Sequence, residues 1–193
     1  ARARRIPAYL DLLDDLVQRQ VERVRSAVFE AGSEIQRYFE LLPPSPVRDL
    51  YERMQATDDP VERKRLQDEL RQFVMPGPID VNIMTKLDRD LDRRGRPLPE
   101  HGSDALAALR GFMRSRAQGA VVLSAGMNRR LFSYMGEFAE LMPSGAEDLR
   151  KRVVLKVSDY RSALLQGKLL ARLGVHISEF RVESGLNCGG HAF

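Results

Sequence analysis

Ala120-Val121-Val122-Leu123-Ser124-Ala125-Gly126 is an unbroken apolar run of strand length that closes on small residues. Strict alternation would mark a strand with one wet face. Continuity marks a strand covered on both faces, the habit of a parallel sheet. The same texture recurs on either side of it. Ile79-Asp80-Val81-Asn82-Ile83-Met84 comes before, and Arg152-Val153-Val154-Leu155-Lys156-Val157 and residues 175–182 come after. Helical stretches separate these strands. Residues 103–116 have Ser103 as N-cap and put Leu106, Leu109 and Phe112 or Met113 on one face. Residues 128–141 stop at Pro143-Ser144-Gly145, and residues 159–173 stop at Gly174. Strand and helix in strict alternation imply right-handed βαβ units, about three and a half of them across 76–193. The expected class is α/β: a partial (β/α)8 TIM-barrel-like parallel sheet or a small open sheet, with a helical N-terminal segment.

That segment, 1–75, reads as helices. Leu10, Leu13, Leu16 or Val17, Val21, Val24, Val28 and Ile35 recur at helical spacing across 6–40, with Pro7 suited to a first turn and Gly32 to a break. Leu41-Leu42-Pro43-Pro44-Ser45-Pro46 is a stop, 47–56 a short helix, and Asp59-Pro60 an N-cap followed by proline at the first helical position. The texture changes at Met75-Pro76-Gly77-Pro78. The helical segment is expected to be a layer packed on the remainder, or a surface for an oligomer or docking partner.

The totals exclude several classes. The chain has 193 residues, 43% hydrophobic and 30% charged, with a net charge of +4. Residues 1–75 hold 13 Lys/Arg against 14 Asp/Glu, so the excess lies in 76–193, with 18 against 13. That surplus suits an anionic small molecule, and few aromatics are interleaved with it, which argues against nucleic acid. One cysteine, Cys188, rules out an internal disulfide. No apolar run approaches the roughly 20 residues of a membrane span, and Ala1-Arg2-Ala3-Arg4-Arg5 is not followed by a signal region. A cytoplasmic location is expected. The chain starts without methionine and stops two residues after His191, as a fragment of a longer protein would.

In barrels and open α/β sheets alike, ligands sit at the carboxyl ends of the strands. Those ends select Asn82 and Lys86, then Ser124, Gly126 and Asn128, then Lys156, Ser158 and Asp159, then Glu183 through His191. The last stretch, Glu183-Ser184-Gly185-Leu186-Asn187-Cys188-Gly189-Gly190-His191, pairs two permissive glycines with an imidazole that exchanges a proton near neutrality. A mouth with lysines, asparagines and a Gly-Gly loop suits an anionic, planar, polar cofactor. Cys188 reads as packed, with no second ligand pair for a metal site. Arg129 and Arg130 read as solvated, and His101 and His176 receive no role.

Pro78–Asn82, Val121–Gly126, Val154–Ser158 with Ala163, and Gly174-Val175 leading to Gly189-Gly190-His191 follow in the order and rough spacing of the nitronate monooxygenases. The resemblance covers about 76–193, and its most specific piece is Gly189-Gly190-His191. That family also contains flavin-dependent enoyl reductases, and its members are FMN-binding (β/α)8 barrels. The resemblance implies that Asn82 hydrogen-bonds the flavin ring, that Gly189 and Gly190 lie near the FMN phosphate, and that His191 is the catalytic base or orienting group. The family more often shows Glu-Ala-Gly-Gly-His, whereas Leu186-Asn187-Cys188 intervenes here. Ser124, Gly126, Lys156 and Glu183 complete the candidate cofactor set as strand-end residues. Lys156 enters on chemistry: a cation beside the flavin N1–C2=O edge stabilises the reduced ring. The expected activity is FMN-dependent oxidation of a small carbon acid. A flavin-dependent NAD(P)H reductase, a phosphate-handling barrel using Lys156 without flavin, and a non-catalytic docking module are the alternatives.

Overall fold

The computed structural model describes residues 2–84, 88–124, 126–142 and 150–183. They form two compact units, one of Ala1–Leu12 with Pro78–Phe193 and one of Leu13–Gly77.

Four helices occupy the first part of the chain: α1 Arg2–Ser26, α2 Glu34–Glu40, α3 Pro46–Ala56 and α4 Pro60–Arg71. Their starts follow capping chemistry. Ser33 Oγ accepts from the Gln36 N–H, Ser45 Oγ from Arg48, and Asp59 Oδ1 from Val61, with Pro46 and Pro60 opening their helices. The expected run over 6–40 is two helices, divided at a turn where Gly32 takes φ +81°. α1 begins at Arg2, so Pro7 lies inside it and removes one backbone bond near its start.

The core of the helical unit is Val21, Ile35, Phe39, Tyr51, Met54, Leu66, Leu70 and Val74. The Phe39 ring lies 5.7 Å from Tyr51 and 6.0 Å from Phe29, and Tyr38 meets it edge-on at 5.1 Å. Val17, not Leu16, packs against this cluster. Val28, expected on the apolar stripe, is exposed because α1 has already stopped at Ser26.

The other unit is built on a four-stranded sheet of β1 Val81–Ile83, β2 Gly119–Leu123, β3 Lys151–Val157 and β4 Glu179–Val182. All neighbours are parallel and the order is β1-β2-β3-β4. The connections carry α5 Asp104–Arg114, then α6 Arg129–Met135 with a 3-10 turn at Ala139–Leu141, then α7 Tyr160–Arg172. The α/β class with sequential parallel strands is therefore present. β2 is buried along its whole length, as its unbroken apolar run demands.

Register sorts the side chains into two faces, since parallel partners share a face and successive residues alternate. Ile83, Leu123 and Leu155 stand level on one. Asn82, Val122, Val154 and Glu179 stand level on the other, where Ala120, Val122 and Val154 form a buried cluster. At the foot of β3, buried Lys151 donates to the carbonyls of Phe112 and Ser115 at the end of α5, and its ammonium sits 4.2 Å from the Phe112 ring centroid. A cation suits the negative end of that helix.

Several boundaries are shorter than the sequence suggests. β1 starts at Val81 because the Asp80 side chain takes the Ala120 N–H at 2.8 Å, replacing a ladder bond. β2 stops at Leu123, which leaves Ser124 and Gly126 beyond the strand. The helix expected over 128–141 ends at Met135, with Gly136 as C-cap, and resumes only as the 3-10 turn. The last strand starts at Glu179, four residues later than expected.

Candidate ligand site at the strand ends

Ser124, Gly126 and Glu183 lie just past the carboxyl ends of their strands and Lys156 is the penultimate residue of β3, whereas Asn82, expected to close β1, is the middle residue of that three-residue strand. Gly189, Gly190 and His191, with Lys86 and Cys188, lie outside the described residues.

Asn82 is exposed in the middle of β1, level with Val122 and Val154. By register it shares a face of the sheet with the buried Ala120–Val122–Val154 cluster. Ser124 and Gly126 line a small cavity with Ile83, Leu123, Asn128 and Phe132. Its volume is about 20 Å³, room for a single water. Cofactor pockets run to hundreds of cubic ångströms, so this cavity is too small to hold one. Gly126 has φ +115°, and a Cβ there would touch nothing within 4 Å; backbone conformation, not crowding, calls for glycine. Asn128 is committed to capping α6, accepting from the Leu131 N–H at 3.0 Å.

β3 and β4 hold the charged part. Lys156 stands directly opposite Arg181, two cations on one row of the sheet. Like charges so placed repel, and each is held by a glutamate two positions from Arg181 along β4. Lys156 Nζ lies 3.1 Å from Glu183 Oε1, and Arg181 Nε lies 2.8 Å from Glu179 Oε1. The first pair is the more enclosed, with 13% and 25% of the two side chains exposed. The Arg181 hydrogen bond, reinforced by its charge and that of Arg152, holds the Glu179 carboxyl below the usual carboxylate range. Asp80 and Glu183 add to the attraction that keeps Arg181 charged.

Next to this row, Asp159 caps α7. Its Oδ1 accepts from the Ser162 N–H at 2.7 Å and its Oδ2 from the Ser158 hydroxyl at 3.0 Å. The Ser162 bond first, then Ser158, keeps its carboxyl low.

The donor set suits a flavin in part. Asn82 and Ser124 offer neutral polar groups to a ring edge, whereas the charge of Lys156 is matched by Glu183. Among the described residues, no three His, Cys, Asp or Glu are grouped to hold a metal ion, and no helix is long and apolar enough to cross a membrane. Arg181 and Glu179 were not selected from the sequence. Their signal was the alternation Glu179-Phe180-Arg181-Val182-Glu183, which places three charges on one face of a strand. No protein-family model, curated protein or solved structure matches the chain.

Proposed function

We propose that the chain belongs to an FMN-dependent oxidoreductase resembling the nitronate monooxygenases, acting on a small carbon acid at the mouth of a partial (β/α)8 barrel. The observation that carries this reading is the order β1-β2-β3-β4, all parallel, with Ser124 and Glu183 just past their strands' carboxyl ends and Asn82 and Lys156 one residue short of them. Sequential parallel strands are the repeating unit of such barrels, and their carboxyl ends are where barrel enzymes bind ligands. FMN supplies the two-electron acceptor.

In this reading Asn82 orients the ring through its amide, and Ser124 and Gly126 shape the adjoining loop. Lys156 and Glu183 set the charge at the ring's margin. Gly189 and Gly190 bind the phosphate through backbone N–H groups, and His191 takes the proton from the substrate carbon. The protein works in the cytoplasm.

Native purification followed by visible absorbance tests the cofactor. Oxygen consumption with alkyl nitronates, against NAD(P)H oxidation, separates the monooxygenase from the reductase. A colourless protein that retains no added FMN defeats both.

A further inference from the structure

The connection from β1 to α5 carries an arginine-rich hairpin. Residues 88–98 hold four arginines and three aspartates. Leu91 bridges Pro97, and the Asp92 and Leu98 N–H groups donate to the carbonyls of Arg96 and Asp90 at 2.8 and 2.7 Å. At the tip Gly95 takes φ +73°, and Asp92 Oδ1 accepts from the Arg94 and Arg96 N–H groups at 2.7 and 3.0 Å. Two further bonds tie the hairpin down. Asp88 accepts from the Ser103 hydroxyl and the Ala105 N–H at the start of α5, and Asp90 accepts from Arg130 at the start of α6. In a βαβ unit each helix starts on the side where its strand ends, so the hairpin stands on the ligand-binding face of the sheet.

Every aspartate of the hairpin is therefore engaged, Asp92 also with the Arg96 guanidinium at 2.8 Å. The cations are in surplus. Arg96 and Arg130 have carboxylate partners. Arg89, Arg93, Arg94 and the adjoining Arg129 are exposed, and none of them has a carboxylate partner among the described residues. Like charges held on a fixed turn repel one another, and a bound anion relieves that repulsion. The planar guanidinium fork matches two phosphate oxygens at a time. A turn already fixed by its own hydrogen bonds gives up little freedom when it binds.

We propose that Arg93 and Arg94, together with Arg89 and Arg129, bind the diphosphate group of a small-molecule substrate whose reacting end lies at the strand ends. This names the substrate class for the ligand mouth proposed above and rests on that reading for the reaction, while the diphosphate contact itself needs no flavin.

The test is calorimetric titration of the intact protein with inorganic pyrophosphate at fixed ionic strength. Arg93→Ala combined with Arg94→Ala weakens binding by at least roughly tenfold. Both side chains are exposed, so the variant keeps the wild-type circular dichroism and Tm. Arg19→Ala combined with Arg37→Ala removes the same charge from exposed positions on α1 and α2 and leaves binding unchanged. An equal loss in both double variants overturns the proposal, because net charge alone would then be felt. A wild type that binds no pyrophosphate overturns it as well. So does an acidic peptide of the same net charge that binds as tightly, since phosphate geometry would then count for nothing. Flavin content of the same sample keeps the two readings apart. A colourless protein that binds pyrophosphate through Arg93 and Arg94 refutes the flavin alone; a yellow one that does not refutes the diphosphate site alone.

Discussion

A Cβ placed on Gly119 would lie 2.4 Å from the carbonyl oxygen of Ile79 and 2.9 Å from its nitrogen. Gly119 opens β2 with φ +153°, and its neighbour Gln118 accepts the Ile79 N–H through its carbonyl at 2.7 Å. The backbones leading into β1 and β2 therefore cross with no room for a side chain. Gly119→Ala meets main-chain atoms that cannot rotate away, and adds the cost of an unfavourable φ. The expected loss is about 2–4 kcal/mol, read as a lower denaturation midpoint with an unchanged slope.

Lys151 anchors the opposite end of the strands from the candidate site. Lys151→Met keeps the aliphatic stem but removes the donor to the Phe112 and Ser115 carbonyls, which then lack that partner in a buried setting. The expected cost is about 2 kcal/mol by urea denaturation. Ligand affinity per folded molecule is expected to stay at the wild-type value, because the foot of a parallel sheet serves stability.

Phe39 is fully buried between Phe29, Tyr38 and Tyr51. Phe39→Ala leaves a ring-sized void in the helical unit and is expected to destabilise it by about 3–5 kcal/mol. Near-ultraviolet dichroism, which reports the surrounding tyrosines, is the measurement.

Asp159 gives a pH dependence with a defined sign. Its carboxyl titrates below the ordinary carboxylate range because the folded protein bonds its ionised form. Folding therefore disfavours the proton. The stabilisation is fully present above the unfolded value and disappears as pH falls through the lowered folded value. Asp159→Asn is expected to melt earlier than wild type at neutral pH, and the gap in Tm should close as the medium is acidified below the carboxylate range. A gap that is constant with pH would contradict this.

Much of the fold was legible because its signals are local. The apolar run that opens at Ala120 marks a buried strand whatever surrounds it, and Asp59 and Ser103 cap helices as residue type announces. The caps Ser33, Ser45 and Asp159, equally local, were not read from the sequence. The misplaced ends have non-local causes. β1 is shortened by the bond from Ala120 to the Asp80 side chain, forty positions away in sequence. Val28 falls off the apolar stripe because the helix stops before it, which spacing alone does not reveal. At the candidate site, position was readable and partnership was not. Lys156 and Glu183 both read as strand-end residues, yet their pairing depends on the register of β3 against β4, a property of the assembled sheet. Arg181 escaped notice for the same reason.

The most direct measurement is a titration of the natively purified protein with FMN, followed by flavin fluorescence, alongside an Asn82→Ala variant with the same circular dichroism. If the strand ends form a flavin mouth, the wild type binds one FMN per chain and Asn82→Ala weakens binding by roughly tenfold, the worth of one hydrogen bond to the ring. A folded wild type that leaves the fluorescence of added FMN unchanged, or an Asn82→Ala variant that binds it equally well, would contradict the account.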